Sequence, residues 1–170
     1  EIKKLADKWF GLIERGESYH RDLPEEPVQT ELRTKTIVSQ VPMNAFYRAY
    51  HMPDRLDDKY HVIDLLSDIL GRGKSSRLYT SLVKKKSLVN SISASITGSI
   101  EAGLLVISGK LKEGVSFEEV DQLVDNEISL LLEKGLEEGE LDKVKMQAES
   151  SHVFSEVELL NRAMSLAYYT

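Results

Sequence analysis

Four histidines, His20, His51, His61 and His152, are the side chains in this sequence best suited to hold a transition metal or to move a proton near neutral pH. A helical zinc site sets two of them at i and i+4, so that both project from one face. No pair here has that spacing, and neither HExxH nor HxxEH occurs. His51 and His61 flank a turn and could approach each other, whereas His152 lies in a helical pattern and reads as solvated. The chain has no cysteine, which excludes disulfides, iron–sulfur clusters, thiolate zinc and a cysteine nucleophile. No metal site is expected within it. The 28 carboxylates make chance acid–base pairs uninformative.

Three further stretches carry chemically suggestive residues. Gly71-Arg72-Gly73-Lys74-Ser75-Ser76 resembles the end of a phosphate-binding loop. That motif needs a glycine at the position of Asp68 and a strand before the loop, where a helical pattern stands instead. The simpler reading is that Gly71 ends one helix and Ser75 or Ser76 caps the next. Lys84-Lys85-Lys86 is a compact basic run that reads as a solvated helix end, or as a contact for an acidic peptide or partner subunit. Ser91, Ser93 and Ser95 alternate along a strand, on either its solvent side or a groove where an extended peptide lies.

The elements that must position these residues come from periodicity. The chain has 170 residues, 41% of them hydrophobic, enough for one globular core, and no apolar run approaches a membrane span. Its net charge of −6 argues against nucleic-acid binding. Ile2, Leu5, Trp9 and Ile13 mark a helix at the start, and a helical pattern is still running at Thr170, which reads as a domain cut from a longer protein. Residues 21–29, with two prolines and no periodicity, read as a linker. Alternation predicts strands over Leu32–Val38 and Met43–Ala49, paired with each other, and a second pair over Ile92–Ile96 and Leu104–Lys110. Between and after them, helices are predicted from Tyr60 to Leu70, from Ser75 to about Lys86, from a capping box at Ser116 and Glu119 to Gly135, and from Glu138 onward. The last of these should bury Val144, Ala148, Phe154, Val157, Leu160 and Met164. Strand pairs alternating with helix pairs give an α+β fold, a two-layer sandwich of mainly antiparallel sheet with helices on one face.

The stretch Ile69 to Ile96, ILGRGKSSRLYTSLVKKKSLVNSISASI, resembles the second-half signature of the pitrilysin/insulinase (M16) zinc metallopeptidases, of bacterial processing-peptidase type. That signature runs Leu-Gly, Gly, Ser-Ser-Arg-Leu-(Tyr/Phe), a variable helix, then leucine and a strand. Lys8-Trp9-Phe10-Gly11 is similar to the Tyr-Phe-Gly that closes the family's preceding half, and Glu26-Pro27-Val28-Gln29 to its Glu-Pro-Gln linker.

The resemblance implies the processing-peptidase/LuxS-like metallohydrolase fold. It implies residues 1–16 as the closing helix of a preceding region, 17–30 as a linker and 31–170 as one non-catalytic peptidase-like domain, truncated at its C-terminus. It further implies a substrate-binding and closure role in a zinc metalloendopeptidase, with zinc held by an HxxEH half elsewhere in the same chain or in a partner subunit. This chain alone would hydrolyse nothing. A peptide substrate is the implied ligand, and the exposed sheet face and severed helices leave room for a homodimer. The compartment, cytoplasmic or periplasmic, is left unknown by the resemblance. In the family this half supplies an Arg and a Tyr that hold substrate, and alignment on Leu82 and Leu88 places those positions at Val83 and Asn90. Valine cannot donate a hydrogen bond and asparagine replaces the tyrosine only in part. A neighbour such as Lys84 could stand in, a partner subunit could carry the pair, or the domain could be purely structural, a protein-interaction module of a peptidase-like protein that has lost catalysis.

Overall fold

The computed structural model describes residues 1–19, 24, 27–98 and 101–168. His20, Arg21, Glu26 and the tip of the turn before Gly103 (Ser99 and Ile100) lie outside them. The chain forms two compact units, residues 1–39 and residues 40–170.

The first unit contains α1 (Ile2–Phe10), whose last turn is closed by a hydrogen bond from the Gly11 N–H to the Asp7 carbonyl. Leu32–Val38, predicted as a strand, forms none. Alternation creates a strand only where a neighbour supplies the ladder and something covers the apolar face. Neither is present, and Leu32, Ile37 and Val38 are 84%, 76% and 95% exposed.

The second unit holds the sheet and its helices. β1 (Ala45–Met52), α2 (Tyr60–Gly71), a π-helix (Tyr79–Lys85), β2 (Val89–Thr97), β3 (Gly103–Leu111), α3 (Phe117–Lys134), α4 (Glu140–Ser155) and α5 (Leu159–Tyr168) follow in chain order. The sheet is three-stranded with β3 in the centre and antiparallel to both neighbours. β2 pairs with β3 as its alternation predicts. β1, however, pairs with the far side of β3, Tyr47 opposite Ser108, rather than with residues 32–38.

Helices cover one face of the sheet. Ile92 and Ala94 of β2 and Ile107 and Leu111 of β3 pack against Leu70 of α2, Leu78 and Leu82 around the π-helix, and Val120 and Val124 of α3. Val89 and Ile92 are both buried although three residues apart, an odd spacing that regular pleating forbids. A bulge at Asn90, between the paired positions Val89 and Ser91, restores the phase. The helix predicted over Ser75–Lys86 is wound as a π-helix from Tyr79 on, with the Lys86 N–H reaching the Ser81 carbonyl. α3 starts where its capping box predicts, with the Glu119 N–H donating to Ser116 Oγ at 3.2 Å, and it ends at Gly135, whose φ of 73° suits glycine.

The final helix differs from expectation. It breaks at residues 156–158 into α4 and α5, and only Val144 of its predicted apolar set is buried. Phe154, Val157, Leu160 and Met164 are at least 64% exposed. Their spacing is helical, but no described core lies opposite them, and periodicity alone does not create one.

Candidate functional site

The sheet face away from the helices is open. Its rows run Tyr47, Ser108 and Ser93, then Ala49, Val106 and Ser95, then His51, Leu104 and Thr97. Ser91, Ser93 and Ser95 are exposed on this side, with Ser93 Oγ and Ser108 Oγ 3.3 Å apart. The serines of β2 thus share this face with Tyr47, Val106, His51 and Leu104, and β1 and β2 are the edge strands among the described residues. A groove runs beside β2, lined by Asp64, Asp68 and Arg72 of α2 and its C-cap and by Ser93, Ser95 and Ile96. Arg72 donates to Asp68 Oδ2 at 2.9 Å and to Ser151 Oγ at 3.0 Å.

Burial in this groove raises the Asp64 carboxyl above the usual carboxylate range, and the neighbouring Asp68 charge adds to the effect. An acid whose folded pKa is raised destabilises the fold once ionised, and that cost disappears as pH falls through the folded pKa. Asp64→Asn should therefore raise Tm at neutral pH by about 2 °C, a small gain because water screens the half-exposed carboxylate. Melting curves should converge as the pH is lowered through the carboxylate range. A gain that persists unchanged at acid pH would assign it to packing.

The residues singled out on the π-helix and β2 have separate surroundings. Val83 is half-buried and packs on the core. Lys84 is exposed, its ammonium 5.9 Å from the centroid of the Tyr79 ring. Asn90, exposed at the bulge, donates from Nδ2 to Met43 Sδ at 3.2 Å. Ser87, between the two elements, takes a left-handed φ of 57°, a conformation that non-glycine residues enter at a cost.

The Gly71–Ser76 segment joins two helices, and its hydroxyls are engaged within the fold. Ser76 Oγ donates to the Gly73 carbonyl at 2.8 Å, and Lys143 Nζ donates to Ser75 Oγ at 3.2 Å. Gly73 carries the positive φ, 80°. Arg77 makes a two-pronged ion pair with Glu140, and Leu78 is fully buried. Ser-Ser-Arg-Leu-Tyr is therefore a packing element.

The three described histidines lie on separate elements. His51 is exposed on β1, His61 meets the Tyr60 ring edge-on at 5.4 Å, and His152 lies 3.8 Å from Glu156. Among the described residues no group of three or more His, Asp or Glu side chains could hold a metal ion. No described helix is long and apolar enough to cross a membrane. Lys110 and Lys112, which the pattern of single elements does not flag, lie beside the start of β2, and only the β2–β3 register brings them there.

Comparison with known proteins follows the same outline. The model of the peptidase M16 inactive domain matches residues 1–148. A protease from Helicobacter pylori superposes with a TM-score of 0.89 at 22% identity, over 99% of this chain and 41% of that one. The peptidase M16 inactive domain from Pseudomonas fluorescens aligns with a TM-score of 0.58 at 25% identity, over 63% of this chain and 26% of that one. The inactive peptidase domain of a Bordetella parapertussis protein assigned as a zinc protease gives 0.66 at 19% identity, over 78% of this chain and 73% of that one. The chain thus spans well under half the length of the first two. No curated protein sequence matches.

Proposed function

The chain belongs to the peptidase M16 inactive-domain family, and from that premise we propose that it is the substrate-binding and closure domain of a zinc metalloendopeptidase. The zinc and its HxxEH ligands belong to another half, in the same chain or a partner subunit; the described residues here have no set that fits the metal. On this reading residues 1–16 close the preceding region, 17–30 link, and 31–170 form the non-catalytic domain. The observation that carries it is the one-sided sheet. Helices fill one face, and the other offers the hydroxylated side chains of the edge strand β2, a surface on which an extended peptide can lie. A closing half contributes by orienting the peptide and excluding water from a site it does not itself contain.

A second reading has an observation of its own. Val83 packs on the core and offers no donor, and Asn90 is engaged with Met43, so the Arg and Tyr of the family signature have no equivalent at these positions. That favours a structural, protein-interaction domain in a protein without peptidase activity.

One assay separates the two. The HxxEH half should cleave a quenched fluorescent peptide, and adding this chain should stimulate cleavage strongly. Association of this chain with the zinc-loaded HxxEH half without any cleavage would overturn the closure reading in favour of the structural one. In the active case, Val83→Arg with Asn90→Tyr should raise kcat/KM by roughly tenfold or more, as a donor aimed at the scissile carbonyl does elsewhere. No change would mean that these positions do not face substrate.

A further inference from the structure

A cavity of about 510 Å³ lies between the end of α2 and one stripe of α4, a volume within the range of small-molecule sites. Arg72, the C-cap of α2, lines one side, and Lys143, Met146, Gln147, Ser150 and Ser151 of α4 line the other. Their spacing of i, i+3, i+4, i+7 and i+8 sets these five on one face of the helix. Every polar side chain in the lining can donate a hydrogen bond, and none is a carboxylate, in a chain with 28 Asp and Glu.

The two cations hold opposite ends. Lys143 Nζ donates to the Ser75 carbonyl at 3.3 Å and to Ser75 Oγ at 3.2 Å, which engages two of its three protons. It has no carboxylate oxygen within 4.0 Å among the described residues. Arg72 Nη2 reaches Ser151 Oγ, eight residues and about 12 Å further along α4. Its pair with Asp68 is an i,i+4 contact of a half-exposed guanidinium, the kind that holds its geometry weakly. Between the cations stand the thioether of Met146 and the amide of Gln147. Gln147 Oε1 is buried without a hydrogen-bond partner among the described residues, which leaves Nε2 as the amide end that can meet a ligand.

A cation at each end and an apolar wall between them select one shape of ligand. We propose that this cavity binds an elongated small molecule with a carboxylate at each end, an aliphatic dicarboxylate of about eight carbons, enough to follow two turns of α4 less the reach of the two side chains. One carboxylate meets Lys143. The other meets the planar guanidinium of Arg72, with the Ser150 and Ser151 hydroxyls beside it, and the methylenes lie along Met146. Two negative charges match the two positive charges of the lining. An oligophosphate carries more charge than these cations offset, since Arg72 already shares its own with Asp68. The inference goes beyond the closure-domain reading and holds whether or not the parent protein cleaves peptides.

The test is isothermal titration calorimetry of this chain with suberate, and with octanoate as the monoanion of equal length. Suberate should bind at least about tenfold more tightly, and the difference should shrink between about 50 and about 300 mM salt. Ser150→Glu sets a carboxylate into the lining at an exposed position, so it should abolish suberate binding while keeping its Tm. Lys143→Gln removes one anchor and should erase the preference for the dianion. No binding of suberate, equal binding of octanoate, or suberate binding unchanged in Ser150→Glu would overturn the proposal. So would tighter binding of tripolyphosphate than of suberate, which would make the cavity a phosphate site.

Discussion

Gly71→Ala is expected to cost the domain about 3 kcal/mol or more, the upper range for overpacking a core, and to lower Tm by roughly 10 °C. The reason lies in how α2 meets the sheet. A Cβ at this position would stand 1.9 Å from the Ala94 backbone nitrogen, 2.7 Å from its Cα and 2.6 Å from its Cβ. The first two are backbone atoms of β2, so no rotamer change relieves the clash, and α2 would have to lift off the strand. Lifting it would open the contacts of Leu70 with Ile92 and Ala94 in the main core. Ala94→Gly added to Gly71→Ala removes only the Cβ contact, and the double variant should recover little of the loss. Thermal denaturation of both variants checks this. A Gly71→Ala protein that melts within about 2 °C of wild type would show that α2 can shift without penalty.

The same glycine shows where sequence reasoning reaches its limit. Gly71 reads as a helix terminator, and it is the last residue of α2, but its backbone is not left-handed; that conformation belongs to Gly73. What demands glycine at 71 is a strand that follows later in the chain, and no local pattern reports that neighbour. Features closed within a few residues were legible. The Ser116 cap on Glu119, the alternation of Ile92 and Ala94 with serines, and the Gly135 stop each depend on adjacent positions. Pairing partners were not. Residues 32–38 carry strand-like alternation without a strand to meet, while β1 crosses to β3 over the intervening helices and β2. Leu78 and Leu82 are spaced for an α-turn and a π-turn alike, so the π-helix left no trace in their periodicity. The candidate site divides in the same way. The hydroxylated face of β2 was readable from its serines, whereas the placement of Lys110 opposite Ser91 required the β2–β3 register.

Breaking the Arg77–Glu140 pair should be the other large effect, about 3 kcal/mol for Arg77→Met, the scale for removing one partner of a largely buried ion pair. Arg77 Nε donates to Glu140 Oε1 at 2.9 Å and Nη2 to Oε2 at 2.6 Å, with side chains only 11% and 16% exposed. Nη2 also donates to the Gly135 carbonyl at 3.0 Å, and the Glu137 N–H donates to Glu140 Oε2 at 2.9 Å. One guanidinium thus ties the entry of the π-helix to the end of α3 and the first turn of α4, whose dipole favours the carboxylate. Removing the arginine leaves that carboxylate mostly desolvated with a backbone N–H as its remaining partner. Removing both charges, in Arg77→Met with Glu140→Gln, should cost less than the sum of the single losses. The hydrogen bond from Arg77 is the main cause that holds the Glu140 carboxyl below its ordinary range, against the opposing effect of burial. A depressed folded pKa stabilises in full above the unfolded carboxylate range and is lost as pH falls through the folded value. The Tm gap between wild type and Arg77→Met should therefore be widest near neutral pH and should narrow on acidification, because Glu140 is then protonated in both proteins. If the gap stays constant down to the acid transition, the stem of Arg77 stabilises by packing and its charge contributes nothing.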